Sequence, residues 1–220
     1  MNAQEIIREL QKHHDPQNIA GMQRFGITGK NIIGGPGIPC LRAMAKTIGR
    51  NHTLAQALWD SEIHEARILA GMIDDPQQVT RTQMNAWVKG FDSWDLCDQT
   101  CGNLFDRTPY AIERALVWRK SKEEFIKRAG FVLMATMAVH RKELEDKQFI
   151  AFLAICRDDC TDERNFTRKA VNWAIRQIGK RNTFLRKEAI TTCKYILQTY
   201  AHSKAARWIA RDALRELQNS

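Results

Sequence analysis

Phe91-Asp92-Ser93-Trp94-Asp95-Leu96-Cys97-Asp98-Gln99 is the stretch from which the chain is best read. Ser93 is a helix N-cap residue, its hydroxyl able to accept a hydrogen bond from an orphan amide of the first turn. A helix is expected over 93–105. Trp94 and Asp98 stand four residues apart and so share one face, one turn apart. Cys97, Cys101 and Phe105 continue that face, while Asp95 and Asp106 are expected to point elsewhere. Asp98 is thus a carboxylate on the mostly apolar side of its helix. There it needs a cation, donors, water or a chemical task. A buried pair with an arginine of a neighbouring helix is the structural alternative.

The same helical period runs through most of the chain. Helices are expected at 2–13, 39–49, 53–60, 62–73, 81–91, 109–120, 122–139, 146–157, 162–179, 183–199 and 203–217. Thr108-Pro109 is an N-cap followed by proline at the first helical position. Ser121 and Thr161 each precede a pair of acids, which suit the positive end of a helix dipole. Gly179 is a natural C-cap, followed by Lys180 and Arg181. The exception is 25–39, where five glycines and two prolines rule out regular helix. It has neither the spacing of a phosphate-binding loop nor a preceding strand, and Pro36 removes a donor. A mobile connecting loop is expected there.

Phe125-Ile126-Lys127-Arg128-Ala129 resembles Phe166-Thr167-Arg168-Lys169-Ala170 at an offset of 41 residues, and Arg186-Lys187-Glu188-Ala189 is a shorter third copy. Short helices repeating at that period predict an all-α curved solenoid of antiparallel helix pairs, HEAT or armadillo-like, in one domain over 1–220. The 220 residues suit such an array, and no apolar run approaches the roughly 20 residues of a membrane span. Residues 1–14 form an amphipathic helix without a signal-peptide core. A cytoplasmic monomer without membrane contact is expected.

The net charge of +9 is unevenly placed. Residues 1–110 hold 11 Lys and Arg against 12 Asp and Glu; residues 111–220 hold 23 against 13. The C-terminal half carries the whole excess, and a polyanion, most naturally nucleic acid, is the implied partner. Lys169, Trp173, Arg176 and Lys180 follow helical spacings on one face, an indole inside a cationic stripe. That pattern suits an aromatic platform in a phosphate-binding groove. Lys204, Arg207, Arg211 and Arg215 align on the last helix, and Arg186 and Lys187 add charges to the one before. Arg128 is the last charge before an apolar run from Ala129 to Val139, so it must snorkel, pair or line a cleft. It is the natural partner of Asp98 or a phosphate ligand near it.

Cys97/Cys101 and Cys156/Cys160 are four apart, not in the close spacing of common zinc sites, and read as small apolar residues. No GxSxG, HExxH or Cys/His pairing is present, and His64 reads as a packing residue. No metal or cofactor is expected.

These segments, in this order, resemble the DNA alkylation repair enzymes of the AlkD type, the HEAT-like-repeat DNA glycosylases. The resemblance rests on Ser93-Trp94-Asp95-Leu96-Cys97-Asp98, Lys127-Arg128-Ala129, Lys169 through Arg176 and Arg186-Lys187-Glu188-Ala189. It implies excision of positively charged alkylated purines, such as 3-methyladenine and 7-methylguanine, from double-stranded DNA by N-glycosidic cleavage, with no cofactor. It implies Asp98 as the catalytic carboxylate and Trp94 and Trp173 as sugar-facing indoles. Arg128 would stand beside the catalytic cleft, and Arg176, Arg186 and Lys187 would bind phosphate. Phe25 matches an N-terminal aromatic that the family often supplies as Tyr. The composition also allows a non-catalytic DNA-binding repeat protein, or a HEAT-type scaffold for an acidic protein.

Overall fold

The described residues, 1–219 of a computed structural model, contain thirteen α-helices, one 3-10 turn and no strand. They are α1 (Ala3–Gln11), α2 (Pro16–Arg24), α3 (Ile38–Ile48), α4 (His52–Asp60), α5 (His64–Ile73), α6 (Arg81–Lys89) and α7 (Trp94–Asn103). After the 3-10 turn Phe105–Arg107 come α8 (Ala111–Trp118), α9 (Glu124–His140), α10 (Asp146–Asp158), α11 (Asn165–Arg181), α12 (Thr183–Thr199) and α13 (Lys204–Gln218). They divide into two compact units, Met1–Thr108 and Pro109–Ser220. Pro109 and Tyr110 are uncharged, so the division separates the balanced half of the sequence from the basic half.

In the first unit α5 is the buried centre, packed by α3, α4 and α7. Trp59 of α4 and Trp87 of α6 stack with centroids 4.1 Å apart, and Phe91 and Phe105 meet this pair at about 6 Å. Such offset and edge contacts add to the burial of large rings. Phe91 and Phe105 flank α7 in sequence, so the cluster holds both ends of that helix.

Two local expectations for this unit change. Helix α2 is unforeseen, although Asp15 caps it through the amides of Gln17 and Asn18 and Pro16 opens it. It buries no residue fully, so there is no apolar stripe to read. The glycine-rich segment after it is tied down rather than loose. Glu65 accepts from the amides of Ile33 and Gly34 at 2.9 and 2.7 Å, and Asp92 accepts from Lys30. The amide of Asp15 donates to Ile33, and that of His64 to Asn31.

In the second unit the 41-residue repeat becomes physical contact. The Phe125 and Phe166 rings, the aligned pair, lie 5.3 Å apart. Glu124 accepts from the first amides of α11, those of Phe166 and Thr167. Glu163 serves α13 similarly through Ala205 and the Ser203 hydroxyl. A carboxylate there satisfies orphan N–H groups and opposes the positive end of the helix dipole. At the other end, Arg181 of α11 donates to the carbonyls of Ala138, Arg141, Lys142 and Leu144. Its guanidinium also lies 4.4 Å from the Phe149 ring centroid.

Arg181→Ala strips partners from several carbonyls at once. Charged hydrogen bonds of this kind are worth about 2–3 kcal/mol. For a chain of this size the thermal midpoint should fall by roughly 4–10 °C. Circular dichroism melts check this, and Arg181→Lys, which keeps the charge without the planar fork, should fall between.

Helix starts differ in detail from the sequence reading. Ser93 occupies the N-cap of α7, but its side chain makes no capping bond. Thr108 instead donates to the Phe105 carbonyl and closes the 3-10 turn, so α8 begins at Ala111. The Ser121 hydroxyl accepts from Glu123, one residue ahead of α9. Asp162 binds Arg164 and delays α11 to Asn165, away from Thr161. Gly179 is not a C-cap: α11 continues through Arg181, with Gly179 buried inside it. A Cβ at Gly179 would come within 2.7 Å of Leu217 and 3.1 Å of Ala189, so glycine lets α12 and α13 approach α11. Gly130 does the same between α9 and α8, where a Cβ would lie 2.6 Å from the Arg119 nitrogen.

Candidate functional site

On α7 and the 3-10 turn after it, the three carboxylates singled out from sequence have different surroundings. Asp95 is the buried one, and it is bonded to His64 of α5: the ring Nε2 lies 2.9 Å from Oδ2. Asp106 is fully buried. Asp98 and Trp94 are both half-buried. Asp95 and Asp106, expected only to point elsewhere than the Trp94 and Asp98 face, turn out to be the buried acids. The α5 imidazole compensates Asp95 there, and the more open acid is Asp98. The Trp94 indole N–H donates to the Phe25 carbonyl at 3.0 Å, which fixes the ring and sets the exposed Phe25 beside it. Trp94 and Asp95 also line an apolar cavity of about 230 Å³, with Met22, Ile27, Leu41 and Ile68 among its walls.

Burial works against charge on His64, but the Asp95 hydrogen bond and charge, with Glu65 and Asp92 nearby, outweigh it and raise the pKa. Burial likewise opposes ionised Asp95, and His64 overcomes it, so the Asp95 pKa falls. A raised imidazole pKa stabilises the fold below its unfolded value of about 6.5, and that contribution is lost as pH climbs through the folded value. The Asp95 contribution is lost at the other end, as pH falls through a pKa below the usual carboxylate range. Asp95→Asn should therefore lower the melting temperature near neutrality and flatten its decline as pH rises above about 6.5. Melting curves across that range check this. His64 is a packing residue, as the sequence suggested, but one that carries an ion pair.

Burial keeps four of the six cysteine thiols protonated and unreactive. Burial, then Cys97 and the charges of Asp98 and Asp106, pushes Cys101 far up. Burial raises Cys156 as well, and lifts Cys160 to about 11 and Cys193 to about 12. All six are unbridged. Among the described residues no group of three His, Cys, Asp or Glu side chains could hold a metal ion.

In the second unit, Trp173 is half-buried on α11, with exposed Lys169 one turn before it. The rest of that stripe is engaged. Glu216 of α13 takes both Arg176 and Lys180 as ion partners. Burial would raise the Glu216 pKa, but the Lys180 and Arg176 bonds lower it. Arg128 is buried, only 5% exposed, and its Nη1 donates to the Phe166 carbonyl at 2.7 Å. Lys169, Arg186, Lys187 and Arg211 have no carboxylate partner among the described residues. Arg207 donates to the Ala201 carbonyl alone. The cations thus divide into those held by the protein and those left to water or a ligand. Sequence spacing could not show this, because Glu216 lies 40 residues from Arg176.

A helical array whose basic unit carries unneutralised cations beside indoles defines a HEAT-like repeat protein suited to a polyanion. The family model described as "DNA alkylation repair enzyme" matches residues 6–217, and the chain belongs to that family. A solved structure described as "A new family of proteins related to the HEAT-like repeat DNA glycosylases with affinity for branched DNA structures" shares the fold, with a TM-score of 0.75. It is 18% identical, and the match covers 88% of this chain and 83% of that one. No curated protein matches the chain.

Proposed function

We propose that this protein excises positively charged alkylated purines from duplex DNA as a monofunctional N-glycosylase, acting as a cytoplasmic monomer. The observation that carries the reading is the division of labour on α7. His64 compensates Asp95, while Asp98 stays half-open on the same face as an indole that Phe25 holds in place. An alkylated purine already bears positive charge and leaves readily. The C1′–N bond breaks with its electron pair going to the base, and positive charge develops on the deoxyribose. The negative charge of Asp98 stabilises that cation and orients a water molecule. The water oxygen bonds to C1′, and its proton passes to the carboxylate or to solvent. Trp94, on the Asp98 face, adds cation–π attraction to that sugar, and the family resemblance gives Trp173 the same task. Lys169, Arg186, Lys187, Arg207 and Arg211 take phosphates directly. Arg176 and Lys180 do so while shared with Glu216, and Arg128, buried against the Phe166 carbonyl, braces the start of α11 that carries them.

The test is release of 7-methylguanine from alkylated duplex DNA. Release by the wild-type protein above the spontaneous rate supports the reading, and release at the spontaneous rate removes it. A second reading, DNA binding without excision, is favoured by the affinity for branched DNA of the solved relative. Tight DNA binding without base release would select it.

A further inference from the structure

Helix α13 presents a second aromatic surface that glycosidic chemistry does not need. Trp208 remains 37% exposed, an unusual state for so large an apolar ring. With Lys204, Arg207, Arg211, Asp212 and Arg215 it lines a cleft of about 450 Å³. Arg215 is neutralised by Asp212 within its own helix. Lys204, Arg207 and Arg211 have no carboxylate partner among the described residues. From α11, the Arg168 guanidinium lies 5.3 Å from the Trp208 ring centroid and bonds only to the neutral Asn165 side chain. An accessible indole thus sits among four cations, none in an ion pair with a carboxylate among the described residues, although the Glu163 charge is felt by Arg168.

A duplex offers phosphates to such a surface, but its bases are stacked on one another and give the indole nothing to cover. An unpaired base offers a flat face, and its flanking phosphates match the surrounding cations. Stacking on an aromatic ring beside a basic track is the common physical basis of single-strand binding. We propose that Trp208 is a stacking seat for an unpaired base of a fork, flap or gap in DNA. Lys204, Arg207, Arg211 and Arg168 would grip the adjoining phosphates. The inference rests on DNA as the ligand and is independent of base excision.

The experiment compares a forked DNA carrying 2-aminopurine at its first unpaired position with a fully paired duplex of the same length. The wild-type protein should bind the fork more tightly and quench the probe by stacking. Trp208→Ala should weaken fork binding about ten-fold, in keeping with the energy of one stacked base, and abolish the quench. Its duplex affinity should change less than two-fold, as should its 7-methylguanine release from duplex. Trp208→Phe, which keeps an aromatic face, should retain part of both fork signals. Equal binding of fork and duplex by the wild type would overturn the seat and leave DNA binding intact. So would an equal loss on both DNAs in Trp208→Ala. Failure to bind either DNA would overturn the seat together with the DNA-binding reading.

Discussion

Asp98→Asn should reduce 7-methylguanine release from alkylated duplex DNA to the spontaneous rate while leaving DNA affinity within about two-fold of wild type. The replacement keeps the shape of the side chain and removes its charge. If the carboxylate acts on the developing sugar cation, its loss is felt in the transition state and barely in the bound ground state. Removing one electrostatic stabiliser of this kind typically costs about 100- to 1000-fold. The neighbouring acid supplies the control. Asp95 is bonded to His64 in the interior, so Asp95→Asn should lower the melting temperature and spare most of the activity of the folded fraction. Single-turnover rates with melting curves on both variants separate the roles. Equal release by wild type and Asp98→Asn would end the catalytic assignment. Trp94→Ala and Trp173→Ala, each losing a cation–π contribution of about 1–2 kcal/mol, should slow release by roughly five- to thirty-fold.

DNA affinity should fall steeply with salt. Five cations proposed to meet phosphates, Lys169, Arg186, Lys187, Arg207 and Arg211, have no carboxylate partner among the described residues. Each phosphate neutralised on duplex DNA contributes a slope of about 0.9 to the log–log dependence, so five give roughly −4.5. Between about 50 and 200 mM salt, affinity should drop on the order of 500-fold. Removing one such charge, as in Lys187→Ala, should shallow the slope by about 0.9. Arg176 and Lys180 already share Glu216, so Arg176→Ala should change the slope less than Lys187→Ala does. Fluorescence anisotropy titrations at four salt concentrations suffice. A flat response would point to a protein-binding scaffold instead.

The helical class, the 41-residue register and the concentration of charge in the second unit were legible because each depends on residues near in sequence or on a repeated spacing. Phe125 and Phe166 were matched as a pattern and meet as rings. Helix α2 was not legible, because a helix that buries nothing leaves no stripe. Gly179 misled for the opposite reason: its conformational signal suits a helix end, yet the close packing of Leu217 and Ala189 sets its position. At the candidate site, helical spacing placed Trp94 and Asp98 on one face. It could not show which acid of α7 is buried, since that follows from His64, 31 residues earlier. Nor could it separate the engaged cations from the open ones, because the carboxylate that decides the matter lies on another helix.

Glu124 and Glu163 carry a consequence for how the second unit is made. Each lies before the amides it caps, those of Phe166 and Thr167 in one case and Ala205 in the other. On the ribosome, each acceptor therefore emerges ahead of the donors that need it, and a finished helix pair waits as the template for the next. The order of synthesis and the order of assembly run in the same direction, which shortens the time that any apolar stripe of this basic unit spends exposed in the nascent chain.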